Sequence, residues 1–287
     1  MNRHKLSRRI QRFALYAVLA FIAVTYLLPF LWMVSSSFKT PAAIQDTSFS
    51  LIPRNDEGQI SFTIANYRYA IEYLEMHVLF VNTFIVAIIA TVTNLFLNSL
   101  AGYAFARMAF KGRETLFKIT LMSMMIPGTV MLVPNLVIIN RLGLFDTLAA
   151  LILPFIMSIY NVFLMRQTFL SLQIELEEAA FIEGASRFHI FMKIAMPLAK
   201  PTLVVLAITT FMWNYNNFLW PLVATISNET RTLALGLGSL IAAGSGNPEM
   251  YPAMIAGSVL MSIPLIIIFV FFQRFIIKGI NLGGVKE

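Results

Sequence analysis

The segment at 172–197 reads LQIELEEAAFIEGASRFHIFMKIAMP and lies between two long apolar stretches. It holds four carboxylates within nine residues, Glu175, Glu177, Glu178 and Glu183, and Gly184 follows directly. Residues 174–182 have helical composition, and a glycine at that point supplies the left-handed conformation that stops a helix and turns the chain. Ser186 is then placed to N-cap a second short helix ending before Pro197. The expected local structure is a helix–turn–helix knuckle tied to two membrane spans. Its apolar residues Phe188, Phe191, Met192 and Ile194 are more than an idle connecting loop exposes, so the knuckle is expected to dock into a partner.

The composition around this knuckle is that of a membrane protein. The 287 residues are 58% hydrophobic and 12% charged, with a mean hydropathy of +0.77. A soluble domain carries roughly 25% charged residues. There is no cysteine, which excludes a disulfide framework, thiol catalysis and a thiolate metal site.

Residues 1–12 carry five basic residues and no acid, and 13–34 are then uncharged, 22 residues that span about 33 Å as a helix. A signal peptide would have a shorter apolar core and a small-residue cleavage site, so 13–34 reads as a retained span. Further spans are expected at 79–106, 119–139, 148–165, 201–222 and 251–273. The second places Asn94, Asn98 and Gly102 on one stripe, suited to interhelical hydrogen bonding and close packing rather than pathway lining. The third is interrupted by Pro127-Gly128 and Pro134, which is tolerable only where protein or a wet cavity covers the freed backbone groups. The fifth opens with Pro201 in its first turn and carries WNYNNFLWP in its middle. The sixth offers Ala253 and Gly257 as a small-residue face.

With both termini inside, the inner segments hold 16 Lys and Arg and the outer ones 5. That bias satisfies the positive-inside rule, accounts for the pI near 9.7 without nucleic acid, and places the knuckle in the cytoplasm. The expected fold is therefore an all-α polytopic membrane protein of six transmembrane helices with both termini cytoplasmic. Residues 1–12 form a basic N-terminus, 13–275 the transmembrane domain with the cytoplasmic loop 172–197, and 276–287 the C-terminal tail.

No phosphate-binding G-x-x-x-x-G-K-[ST] loop occurs, and His4, His77 and His189 have no metal-ligand spacing. None of the expected spans contains Asp, Glu, Lys, Arg or His, which disfavours an ion-driven carrier, although sodium sites built on carbonyls and hydroxyls remain open. No acid–base pair is placed for intramembrane hydrolysis. A conduit without an energy source, joined to a docking knuckle, implies energy from another polypeptide.

The run Glu178-Ala179-Ala180, then Glu183-Gly184-Ala185, then Ile194-Ala195-Met196-Pro197 resembles the EAA loop of permease subunits in bacterial ABC importers. Glu183 stands where the family usually has Asp, and Met196 where it has Leu. The stretches AGYAFARMAFKGRE, MMIPGTVMLVPNLVIINRLGLFDT, WNYNNFLWPL and FIIKGINLGGVKE extend the likeness over nearly the whole chain, towards the second permease of the maltose-type, carbohydrate-importing branch. Asn66-Tyr67 and Asn82-Thr83 sit where sugar-importing members often carry N-Y and N-S.

The resemblance implies an ABC type I importer transmembrane-domain fold in a bacterial cytoplasmic (inner) membrane. It also implies three protein partners: a second permease, a dimeric ATP-binding subunit that carries ATP and Mg, and an extracytoplasmic solute-binding protein. This chain itself would hold no cofactor, no metal and no catalytic residue. The ATPase-coupling residues carried over are Glu178, Ala179, Ala180, Glu183, Gly184, Ala185, Phe188 and Pro197, with Glu178 as the charged contact and Gly184 making the turn. The outer segment 242–250 lies where the family carries a loop that enters the binding protein, and the tail where some members reach the ATPase interface.

Asn214, Tyr215, Asn217 and Trp220 have chemistry suited to sugar hydroxyls and are the expected pathway residues, against a reading in which Trp213 and Trp220 are packing or interfacial anchors. Three functions stay open: an importer of a sugar or oligosaccharide, an importer of a polyol phosphate or acidic oligosaccharide, and a stand-alone carrier or channel.

Overall fold

The computed structural model describes residues 3–45, 50–54, 59–244 and 250–283. In chain order the helices are α1 (Arg3–Ser36), α2 (Pro41–Gln45), α3 (Ala65–Tyr73), α4 (Met76–Arg107), α5 (Arg113–Met122), α6 (Leu132–Arg141), α7 (Leu148–Ile152) and α8 (Ile159–Ser171). They continue as α9 (Glu175–Ile182), α10 (Arg187–Ile190), α11 (Met196–Leu198), α12 (Lys200–Tyr215), α13 (Leu219–Ala224), α14 (Leu233–Gly244) and α15 (Tyr251–Gly283). No strand occurs among the described residues; an isolated bridge pairs Arg54 with Ile60. The chain divides into two units, 1–75 with 239–262 and 76–238 with 263–287.

Three helical stretches are long and apolar enough to cross a membrane: Ile10–Ser36, Met76–Arg107 and Tyr251–Gln273. Two bent pairs also qualify, Leu148–Phe155 with Ile159–Ser171 at 45° and Arg187–Leu198 with Lys200–Tyr215 at 80°. The count among the described residues is thus three, or five if each bent pair is one span, against the six expected.

Three expected spans are broken, that at 148–165 between Phe155 and the start of α8 at Ile159. Across 119–139, α5 passes into a 3-10 turn at Ser123–Met125, and turn bonds from Val130 N to Pro127 O and Met131 N to Gly128 O precede α6. Across 201–222, α12 stops at Tyr215 and α13 starts at Leu219. Asn216 Nδ2 donates to Met212 O and Asn217 Oδ1 accepts from Trp220 N, so asparagine side chains offer the backbone a local alternative to the helix.

In the first unit, residues 10–29 of α1 are exposed throughout, an apolar surface suited to lipid. The chain after α1 is held by Asn66, whose Nδ2 donates to Ser37 O and Lys39 O at 2.8 and 2.9 Å. Tyr67 bonds Ser37 through its hydroxyl at 2.6 Å and packs on Phe38 with ring centroids 5.2 Å apart. The Asn66-Tyr67 pair is a latch across the connection. Ala253 and Gly257 of the sixth expected span are both buried.

In the second unit α4 is the spine, packed along α8 and α12. Gly102 lets α4 and α8 touch: a Cβ there would lie 2.7 Å from Met165 Cβ and 2.9 Å from Arg166 N. Asn94 and Asn98, on the same stripe, serve the break between α7 and α8. Asn94 Nδ2 donates to Phe155 O at 2.9 Å, and Asn98 Oδ1 accepts from Ser158 N at 3.0 Å. Backbone groups freed at the kink are therefore paired inside protein, as a membrane interior demands.

At the Met76 end of α4, Asn82 Nδ2 donates to Glu229 O and Arg231 O, and Thr83 Oγ1 accepts from Leu233 N in the first turn of α14. Nearby, Asp146 takes a left-handed φ of 58° and accepts from Ile226 N, Ser227 N and Thr230 Oγ1. The Thr230 hydroxyl and the Ile226 amide lower its pKa to about 2.

Replacing Gly102 by Val is expected to push α4 from α8 and destabilise the unit by about 1–3 kcal/mol, read as a lowered thermal midpoint in detergent; an unchanged midpoint contradicts the close packing. Because the Asp146 carboxyl is held below its ordinary 3.8, the pin it makes is complete above about pH 4 and is lost as pH falls through about 2. Amide exchange at Ile226 and Ser227 should accordingly stay constant from pH 4 to 8 once corrected for intrinsic rates. Accelerated opening near pH 6 would place the pin on another group.

Candidate functional site

The knuckle forms as a pair of short helices whose turn follows from the spacing of small residues. Helix α9 ends at Ile182, and Gly184 takes a φ of +89°. Gly184 N donates to Phe181 O and Ala185 N to Ala180 O, both at 3.0 Å. Those two bonds are a Schellman closure, in which the residue after the glycine faces the residue two back from the last helical position. Ala180 and Ala185 are that facing pair. Ser186 then caps α10, its side chain accepting from His189 N. A π-helical turn, Phe191–Ala195, and α11 follow, and the chain enters α12 after the 80° bend. Pro197 and Pro201 lack the donors that would carry one straight helix through this elbow.

One face of the knuckle is fastened to the spine. Glu177 accepts from Tyr103 Oη at 2.8 Å and from Arg107 Nε at 2.9 Å, and Arg107 Nη2 donates to Leu172 O at 2.8 Å. The Arg107 and Glu177 side chains are 8% and 4% exposed. The second arm is held by Ile190 and Phe191, both buried, with Phe191 packed on Tyr103 and Phe169. The other face is open. Glu178, Ala179, Glu183, Gly184, Phe188 and Pro197 are exposed, Ala180 and Ala185 are half-buried, and Ile182 is 84% exposed. Arg187 lies 4.3 Å over the Phe181 ring on this face. The open face thus combines carboxylates with apolar side chains.

A second feature lies at the kink before α8. A cavity of about 430 Å³ is lined by Asn94, Phe155, Ser158, Asn161, Trp213 and Asn214, with Met157, Tyr160, Thr209 and Thr210 completing its wall. Asn161 ties three helices, its Nδ2 donating to Asn94 Oδ1 at 2.7 Å and to Thr210 Oγ1 at 3.1 Å. Asn214 Nδ2 donates to Thr210 O, while its Oδ1 is buried without a partner.

Of the four expected pathway residues, the cavity receives Asn214. Tyr215 is fully buried between Phe84 and Phe211. Trp220 is buried with Val86, Ile139 and Leu151, its Nε1 donating to Ala150 O at 2.9 Å. Asn217 is half-buried and accepts from Trp220 N. These three therefore shape the break and pack the core instead of lining this cavity. The sequence reading missed Asn161, Ser158 and Thr210, and it did not single out Glu177, Tyr103 or Arg107. A readable signal existed for Arg107, the basic residue closing a charge-free span one turn after a tyrosine. Residues 245–249 of the outer segment, 284–287 of the tail and 1–2 of the N-terminus lie outside the described residues.

Helices without strands among the described residues, apolar spans, a broken helix around a largely apolar cavity edged by amides and hydroxyls, and a fastened acidic knuckle are the features of a multi-pass membrane protein of the transport class. Residues 96–282 match the family described as binding-protein-dependent transport system inner membrane component. The chain belongs to that family, whose members are the non-catalytic membrane subunits of ABC transporters. It is 36% identical over 94% of both chains to the arabinooligosaccharides transport system permease protein AraQ of Halalkalibacterium halodurans. It is 31% identical over 98% of both to the lactose transport system permease protein LacG of Rhizobium radiobacter. The fold is similar, with a TM-score of 0.80, 24% identity and coverage of 93% of this chain and 97% of the other, to a chain of a bacterial ABC transporter involved in import of the acidic polysaccharide alginate.

Replacing Glu177 by Ala leaves the buried Arg107 guanidinium without its carboxylate and is expected to cost about 3–5 kcal/mol. The same change at exposed Glu178 should stay within about 0.5 kcal/mol. Thermal unfolding of the two variants in detergent decides it, and equal midpoints would remove the distinction between the two faces.

Proposed function

We propose that the chain is the permease subunit of an ATP-driven importer of a sugar or oligosaccharide. It supplies half of the translocation pathway and is driven through the open face of the knuckle. The observation carrying this reading is that face, which exposes Glu178, Ile182, Glu183 and Phe188 while the opposite face is bolted to α4. Exposed Ile and Phe beside carboxylates, on a rigidly fastened lever, suit a cleft in a partner protein better than water.

The partner is a dimeric ATPase that binds ATP and Mg. Its closure on nucleotide moves the knuckle as a rigid body and rocks the attached helices between inward-open and outward-open states. A second permease completes the pathway, and an extracytoplasmic binding protein delivers the solute. Six spans with both termini cytoplasmic are supported by the 16-to-5 distribution of Lys and Arg, with the broken helices α5–α6, α7–α8 and α12–α13 each serving as one span, and the family's inner-membrane description supports a bacterial cytoplasmic membrane. Sugar cargo is supported by the relatives named for arabino-oligosaccharides and lactose.

Ile182→Glu alters only an exposed side chain, and Gly184→Pro removes both the left-handed φ and the N–H that bonds Phe181 O. In proteoliposomes holding the full set of subunits, each is expected to lower binding-protein-stimulated ATP hydrolysis at least tenfold while membrane insertion is retained. Hydrolysis at the wild-type level in both variants overturns the coupling role. Gradient-driven uptake by the chain alone would make it a stand-alone carrier instead.

A further inference from the structure

The connection between α1 and α4 shows more apolar surface than an extramembrane segment of its length needs. Phe62 and Ile64 are 65% and 67% exposed, and Ile60, Tyr69 and Tyr73 are exposed as well. These side chains stand together. Phe62, Ile64 and Tyr69 line one shallow concavity with Arg68 and Glu72 at its edge, and the Tyr69 and Tyr73 rings, one turn apart on α3, stack with centroids 5.4 Å apart. Single apolar residues are ordinary on a protein surface, whereas a contiguous patch marks a face that something covers.

The position of α3 says what covers it. Asn66 and Ala70 are buried, the Asn66 amide bonds Ser37 O and Lys39 O, and Thr63 N donates to Phe38 O at 3.0 Å. The start of α3 is thereby held where α1, a span with an apolar outer surface, comes to its end. The other end of α3 has little reach: Tyr73 stands three residues before Met76, where the next span begins, so at most about 11 Å of chain separates them. Two consecutive spans end and begin at the same membrane face. Helix α3, nine residues and about 13 Å long, is therefore strung between two span ends and lies along that face instead of standing out into water.

We infer that α3 and residues 60–64 form an amphipathic anchor seated in the phospholipid leaflet at that face, with Phe62, Ile64, Tyr69 and Tyr73 at the boundary of headgroups and acyl chains and Arg68 and Glu72 towards water. Tyrosine suits this depth because its ring is apolar while its hydroxyl stays hydrated, and the patch continues the lipid-facing surface of α1 past the end of the span. A soluble partner would reach the patch only by displacing the headgroups at the same level. The anchor has a mechanical consequence: with α3 held in the interface and latched to the exit of α1, sliding of α1 along the membrane normal is opposed. The inference needs the membrane spans and not the importer reading.

The sequence has no cysteine, so one introduced cysteine carries the only nitroxide label on this chain. Ile64→Cys, Tyr69→Cys and Tyr73→Cys label the patch, and Glu72→Cys labels the polar edge; all four replace exposed side chains, with little demand on folding. Each variant is reconstituted into phospholipid vesicles with the subunits it purifies with, their own cysteines replaced. Electron paramagnetic resonance then measures collisions with oxygen, which enters lipid, and with a nickel chelate, which stays in water. The ratio of oxygen to nickel collisions is expected to be about threefold higher at the three patch positions than at Glu72. Equal ratios at all four positions leave α3 without a lipid-facing side and overturn the inference. Low collision rates with both reagents across the patch place it against protein and overturn it as well. A high nickel rate at the patch that falls on addition of an extracytoplasmic binding protein overturns it in favour of a docking face.

Discussion

Glu177 is the carboxylate on which the geometry of the second unit turns. It is buried between the last turn of α4 and the first turn of α9, and it accepts from Tyr103 and Arg107 at once. A buried ion pair is a weak source of net stability, because desolvating both charges offsets most of their attraction. Its value here is directional. A carboxylate with one oxygen on a phenol and the other on a guanidinium has a single low-energy orientation, and Arg107 extends the constraint to Leu172 O just before the knuckle. Loose apolar packing alone would let α9 slide or roll on α4. The three-residue cluster forbids both, and the Phe191–Tyr103–Phe169 stack beside it fixes the second arm.

The same economy of constraint runs along α4 towards the cavity. Gly102 brings the backbone of α8 close, and that closeness lets the short asparagine side chains of α4 reach a broken backbone. Asn94 reaches Phe155 O and Asn98 reaches Ser158 N, so the kink is held open by donors and acceptors from one helix face. A larger residue at 102 would lift α8 off the asparagines, and the freed groups would be stranded in an apolar surrounding. The stripe is thus a single device, with the glycine setting the distance and the amides using it.

Much of this was legible from residue spacing. Gly184 followed by Ser186 specified the turn and the cap, because both are local: a positive φ and a side-chain oxygen three residues from an amide. The Asn94–Asn98–Gly102 stripe was legible as a packing face because helical periodicity needs no knowledge of the partner. Choosing between Glu177 and Glu178 was beyond that logic. Which of two adjacent carboxylates turns inward depends on the phase of α9 against a helix end seventy residues earlier, a tertiary fact. The WNYNNFLW run shows the same limit. Its polarity signalled a special place in the membrane, but the residues divide their work: Asn216 and Asn217 break the helix, Trp220 and Tyr215 fill the core beside the break, and Trp213 and Asn214 face the cavity. Asn161 left no periodic signal, since it stands alone on its helix and acquires meaning only from Asn94 and Thr210.

The knuckle and the cavity are joined by two rigid elements within one unit, and this connection gives the proposed cycle its mechanical content. Helix α12 leaves the elbow at Lys200 and reaches the cavity wall at Thr209 to Asn214, a run of about 20 Å at helical rise. Helix α4 spans a similar distance from Arg107, beneath the knuckle, to Asn94 at the kink. A rotation of the knuckle is therefore delivered to both sides of the cavity, because neither helix has a break between its two ends. The breaks lie in the cavity wall at 156–158 and just past it at 216–218, where side chains already bond the loosened backbone. Bending at those points changes the mouth of the cavity while the Asn94–Asn161 wall, tied by its own hydrogen bond, moves as one piece. The chain places stiffness between its handle and its pocket, and compliance in the pocket wall and just past it.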